Sequence, residues 1–139
     1  MKQPTRRGIL RASLIACAIG ALPFAASAQQ AWPNKPIRII VGFAPGGGTD
    51  IVARALAPKM SEILGQPVVI ENRSGASGTI GADVVAKSAP DGYTLLMGHS
   101  NSNAIAPYVL PKVPYNAYTD LTPITYVGYV PNVLVTHPS

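Results

Sequence analysis

The chain has 139 residues, of which 47% are apolar and 12% charged, a balance that supports one ordinary buried core and argues against disorder. Its formal charge of +5 suggests a basic protein, but four of the eleven basic residues and none of the six acids lie within Met1–Ala28. Without that stretch the charge is +1, and no Lys/Arg cluster is left to support a nucleic-acid reading.

The first 28 residues have the pattern of a secretory signal peptide: a basic head (Lys2, Arg6, Arg7, Arg11), an apolar body from Ala12 to Ala26, and Ala26-Ser27-Ala28 at the end. Cleavage is expected after Ala28, leaving residues 29–139 as an exported domain. The apolar run is shorter than the ~20 residues a spanning helix needs, and it contains Pro23. Thr5-Arg6-Arg7-Gly8-Ile9-Leu10 resembles a twin-arginine export motif, so the Sec and twin-arginine routes both stay open. Leu14-Ile15-Ala16-Cys17 matches a lipoprotein box but stands too close to Arg11 for a hydrophobic body to precede it. Cys17 is the only cysteine, so the exported part is expected to hold no disulfide and no thiol chemistry.

After a proline-punctuated lead-in, Ile37–Gly42 reads as a buried strand. Asp50–Leu64 reads as a helix with Val52, Leu56, Met60 and Ile63 on its apolar face, capped by Thr49 or Asp50 and closed by Gly65. Pro58 is expected to kink it. Pro67–Glu71 is a second strand. Thr79–Lys87 is a small-residue helix with Ile80, Val84 and Val85 as its apolar side, and Tyr93–Met97 is a third strand. A helical piece is expected near Leu110, and further strands at Ile124–Val130 and Val133–Thr136. This β-α-β-α-β-α-β order predicts an α/β fold with a parallel sheet and helices on both faces. In such sheets ligands bind beyond the carboxyl ends of the strands, where the polar loops 43–49, 72–78 and 98–103 fall.

The first of these loops, FAPGGGTD, lies between a strand and a helix. Backbone N–H groups at a helix start carry about half a positive charge, and glycines let a ligand come close to them. The unit therefore suits a carboxylate or phosphate; the competing reading is a tight turn that only joins helix to strand. A phosphate-binding P-loop would need a lysine that Gly48-Thr49 lacks, and a dinucleotide fingerprint would need glycine where Ile51 stands. Gly98-His99-Ser100-Asn101-Ser102 imitates a serine-hydrolase elbow but has Ser102 in place of its final glycine. That leaves a secreted serine hydrolase using Ser100 as the alternative function. An independent sensor domain acting through a protein partner is a third reading. The spacing of His99 and His137 predicts no metal site.

Four blocks in order, PxKPIRxIVxFxPGGxxD, LGQPVVxENRxGAxGxxG, APDGYTLLMG and VPNVLV, resemble the Bug family, the extracytoplasmic solute receptors of tripartite tricarboxylate transporters. The similarity runs from Trp32 to Ser139. It implies the first α/β domain of a two-domain, type II "Venus flytrap" periplasmic binding protein that closes on a small organic acid. Such a receptor passes its ligand to membrane transporter subunits, catalyses nothing and needs no cofactor. Carried over to this chain, the resemblance places Phe43, Ala44, Pro45, Gly46, Gly47, Gly48, Thr49 and Asp50 against the ligand's carboxylate. His99, Ser100 and Asn101 border the same cleft. Family members continue into a second domain with a facing glycine loop. This chain does not reach one, so residues 29–139 read as a truncated clamp expected to bind such acids barely or not at all on its own.

Overall fold

The computed structural model describes residues 31–129. The expected signal peptide and the expected strand at Val133–Thr136 lie outside this range. Three parallel strands form the sheet: β1 (Ile37–Val41), β2 (Val68–Asn72) and β3 (Thr94–Met97), in the order β2-β1-β3. Helix α1 (Gly48–Leu64) links β1 to β2, and α2 (Thr79–Ala86) links β2 to β3. A π-helical turn over Asn101–Ile105 runs into the short α3 (Ala106–Val109). Among the described residues, no helix is long and apolar enough to cross a membrane.

β1 is central because both of its faces are apolar. Ile37, Ile39, Ile40 and Val41 are buried, and only Arg38 reaches solvent. Ile39 pairs with Ile70 of β2 and with Leu95 of β3. Side chains alternate across a strand. Ile37, Ile39 and Val41 therefore share one face with Val68, Ile70 and Asn72, and α1 packs there through Ala53 and Ala57. Ile40 and Gly42 point to the opposite face, which α2 covers.

At α2 the approach is backbone to backbone. A Cβ on Gly42 would lie 2.7 Å from the carbonyl oxygen of Gly78, and one on Gly81 would lie 2.7 Å from Gly42 Cα. Glycine is required at both positions to let helix and strand touch.

The structure changes several expectations. α1 starts two residues early, with Gly47 as its N-cap and no side chain capping it. The helix runs unbroken through Pro58, although proline offers no N–H to the Arg54 carbonyl. The predicted apolar face of α1 is the outer one: Val52, Leu56 and Ile63 are exposed, Ile63 by 71%. The buried line is Asp50, Ala53 and Ala57, because only small side chains fit at the spacing of helix on sheet. Ile80 likewise faces solvent, while Thr79, Gly81 and Ala82 are buried. Among the described residues, 124–129 pair with no strand and are exposed.

A strap before β1 is pinned at the amino edge of the sheet. Tyr93, just ahead of β3, has its hydroxyl 2.8 Å from the Asn34 N–H and 2.9 Å from Asn34 Oδ1. Lys35 lies 4.2 Å over the Tyr93 ring and 3.1 Å from Asp91 Oδ2, and Trp32 packs on the same ring at 5.8 Å.

Candidate functional site: three loops at the carboxyl edge

Parallel strands bring the segments after β1, β2 and β3 to one edge, as the sequence predicts. The chain leaves β1 to one side and returns past it to β3, so the crevice between the first and third loops is a topological switch point. In the first loop, Gly46 takes a positive φ of 82°, and Ala44 to Gly48 are exposed. Two of its amides are used internally: Gly46 N–H donates to Asp50 Oδ2 at 2.8 Å, and Gly47 N–H to the Ala44 carbonyl at 3.3 Å. The first helical bond is from Ile51 N–H to the Gly47 carbonyl. The N–H groups of Gly48, Thr49 and Asp50 lie between, and none forms a hydrogen bond among the described residues. They are the orphan donors of a 17-residue helix, at the positive end of its dipole. A Cβ on Gly48 would meet nothing within 4 Å, so the space beside these donors is open.

The Asp50 side chain is directed inward and is 2% exposed. Its Oδ2 accepts from Arg54 Nε at 2.9 Å as well as from Gly46, and its Oδ1 accepts from Asn72 Nδ2 at 2.8 Å. The Arg54 guanidinium, with the Gly46 N–H and the Asn72 amide behind it, holds this carboxyl well below the usual carboxylate range. The Asp50 backbone N–H thus lies with the open donors, while its carboxylate supports the loop.

The third loop lies against the first. The Phe43 and His99 rings stand 4.8 Å apart, tilted at 59°. His99 Nδ1 accepts the Asn101 N–H at 3.1 Å, which leaves the proton of a neutral ring on Nε2. Ser100 is exposed, and its hydroxyl forms no bond to His99 among the described residues. Ser102, not Ser100, is buried: its Oγ lies 3.0 Å from the His99 carbonyl and 2.7 Å from Asn103 Oδ1, and its own carbonyl accepts the Tyr115 hydroxyl at 2.6 Å. The π turn that begins here moves these side chains out of an α-helical register, a distortion frequent at functional sites.

The sequence places the second loop, 72–78, at this edge but singles out none of its residues. Gly75, Ala76, Ser77 and Gly78 all have positive φ, a conformation that Ala76 and Ser77 hold against steric preference. A Cβ on Gly78 would lie 3.0 Å from the Phe43 ring and 3.3 Å from Ser102 Cβ, so the three loops meet at this glycine. The signal was present in the run Gly75-Ala-Ser-Gly78, where two glycines bracket a turn. Asn72 falls inside the second family block and Arg54 inside none, and nothing in the sequence marks either as a site residue.

Fold and edge together define a parallel α/β domain whose carboxyl edge carries backbone donors that form no hydrogen bond among the described residues. Comparison with known proteins gives the family. Residues 52–139 match the sequence model of the tripartite tricarboxylate transporter family receptor, and the chain belongs to that family. It is 52% identical over 108 residues to the protein BugT of Bordetella pertussis, covering 77% of this chain and 33% of that one. Among solved structures it is similar to MatC from Rhodopseudomonas palustris with bound malate. That match has 44% identity and a TM-score of 0.62, over 64% of this chain and 30% of that one. It is also similar to Rpa4515 of R. palustris with adipate, at 42% identity and a TM-score of 0.61, over 63% and 29%. The chain spans about a third of the length of the curated relatives it matches, the first of them by 33%.

Proposed function

We propose that this chain supplies one wall of a periplasmic receptor for a small organic acid, with one ligand carboxylate placed on the N–H groups of Gly48, Thr49 and Asp50. The observation that carries the reading is the set of three unpaired donors at the open start of α1. A carboxylate there gains charge-assisted hydrogen bonds from donors already fixed in place. Phe43 and His99 form the apolar side of the crevice, and the His99 Nε2 proton offers one more donor. Gly46, Gly47, Ala44 and Pro45 shape the loop, and Ser100 and Asn101 border it. The family supports the rest: export to the periplasm after removal of residues 1–28, closure against a second domain, and delivery to membrane subunits of the tripartite tricarboxylate type. Receptors with malate and adipate among the similar structures support a dicarboxylate.

NMR titration of the chain with malate, adipate and citrate tests this at millimolar concentrations, where the weak grip of a single wall is visible. Saturable shifts are expected at the amides of Gly48, Thr49 and Asp50 and at the His99 ring, and none with malamide, which lacks the charge. Unmoved loop amides with all three acids would overturn the proposal.

A further inference from the structure

The hydrogen bonds behind the glycine loop converge on one side chain of another strand. Asn72, the last residue of β2, donates through Nδ2 to the Phe43 carbonyl at 3.0 Å and to Asp50 Oδ1 at 2.8 Å. Its Oδ1 accepts from Arg54 Nη2 at 2.9 Å. The partners settle the orientation of the amide. A carbonyl and a carboxylate only accept, and a guanidinium only donates, so the nitrogen must face Phe43 and Asp50. Arg54 reaches Asp50 with Nε and Asn72 with Nη2, which closes a ring of three side chains. From that ring Asp50 holds the Gly46 N–H at the bend of the loop. Both ends of the loop are thereby tied to a strand that contributes nothing to the loop itself.

We propose that Asn72 is a positioning residue for the ligand: it fixes the directions of the Gly48, Thr49 and Asp50 N–H groups without touching the ligand. Asparagine meets the requirement because it carries two donors and an acceptor on a short arm. Aspartate has the same shape but would set a second carboxylate against Asp50. The expected effect on affinity rests on the carboxylate reading above, whereas the effect on loop geometry stands independently of it.

The test follows the amide shifts of residues 43–50, with and without malate, in the whole chain and in three variants. Asn72→Ala and Asn72→Asp should both displace the Gly46–Asp50 amides while those of β1 and β3 stay in place. Both should weaken malate binding roughly tenfold or more, as expected for the loss of a hydrogen bond to a charged group. Arg54→Lys, at an exposed position, should give a smaller displacement in the same direction, because lysine has no fork to span both partners. The Asp variant separates positioning from simple space-filling. If it matches the wild type in loop shifts and malate affinity, the donor bonds do nothing and the proposal fails. It fails equally if Asn72→Ala moves the strand amides as far as the loop amides. Should the wild type ignore malate, the carboxylate reading falls, and the loop shifts alone still decide the role of Asn72.

Discussion

At the scale of single residues, Asp50 ties loop chemistry to stability. Its carboxyl titrates well below the ordinary aspartate range in the folded chain, chiefly because of Arg54. In the unfolded chain it titrates near 3.9. Between those limits the unfolded state binds more protons than the folded one. The contribution of Asp50 is therefore complete above the unfolded value and lost as pH falls through the folded one. Glu71, lowered first by Arg38, and Asp91, lowered first by the Tyr93 N–H, act in the same sense. Urea melts are expected to show stability falling from about pH 5 toward pH 2. Asp50→Asn should flatten that slope, and an unchanged slope would show that Asp50 has no special part in it.

Gly48 and Gly42 separate two uses of the same residue type. Gly42→Ala would drive a methyl into the Gly78 backbone and should destabilise by roughly 1–3 kcal/mol, read from the denaturation midpoint. Gly48→Ala meets no protein atom and lies at ordinary φ, so it should stabilise by about 0.4–1 kcal/mol through the unfolded chain. The same methyl would occupy the space assigned to the carboxylate, so malate-induced shifts should shrink as stability rises. Parallel gains in both would contradict that placement of the ligand.

At the scale of elements, α1 shows where sequence patterns lead and mislead. Its existence was legible in the helix-length segment between the glycine loop and Gly65. Its orientation was not, because periodicity finds the line of large apolar residues while the sheet accepts only the line of small ones. Ala53 and Ala57 make the contact, and Asp50 tops that line through hydrogen bonds no hydropathy scale records. Ala53→Leu should accordingly cost about 1–3 kcal/mol by overpacking. Ile63→Lys should stay within about 0.5 kcal/mol of the parent, although hydropathy alone ranks Ile63 as the core residue. Chemical denaturation of the two variants checks the assignment. The strands were easier to place: β-branched runs gave β1 and β2, and the apolar run between Gly92 and Gly98 gave β3, each to within a residue or two. ITYVGY at 124–129 carries the same signature and forms no strand with the described residues.

At the scale of the whole molecule, the parallel order of the sheet gave the place of the site before any side chain was considered. Strand direction alone assembles the three loops at one edge. The supports beneath that edge were illegible because Asn72 and Arg54 lie 18 positions apart, and only folding makes them neighbours. The near-neutral charge of the part after Ala28 also has a consequence: affinity for an organic acid should come from local amides and respond only modestly to salt. The export proposal predicts a mature chain beginning at Gln29. Mass spectrometry of the periplasmic fraction checks it, and an intact Met1 would contradict it.

The placement of Trp32 bears on any optical assay. It is the sole indole in the sequence and rests on Tyr93 at the opposite pole from the glycine loop. Its emission should therefore follow docking and release of the leading strap during unfolding, while a bound acid leaves it unchanged. A flat fluorescence trace on addition of malate would say nothing against binding, and a probe for occupancy has to be installed near His99.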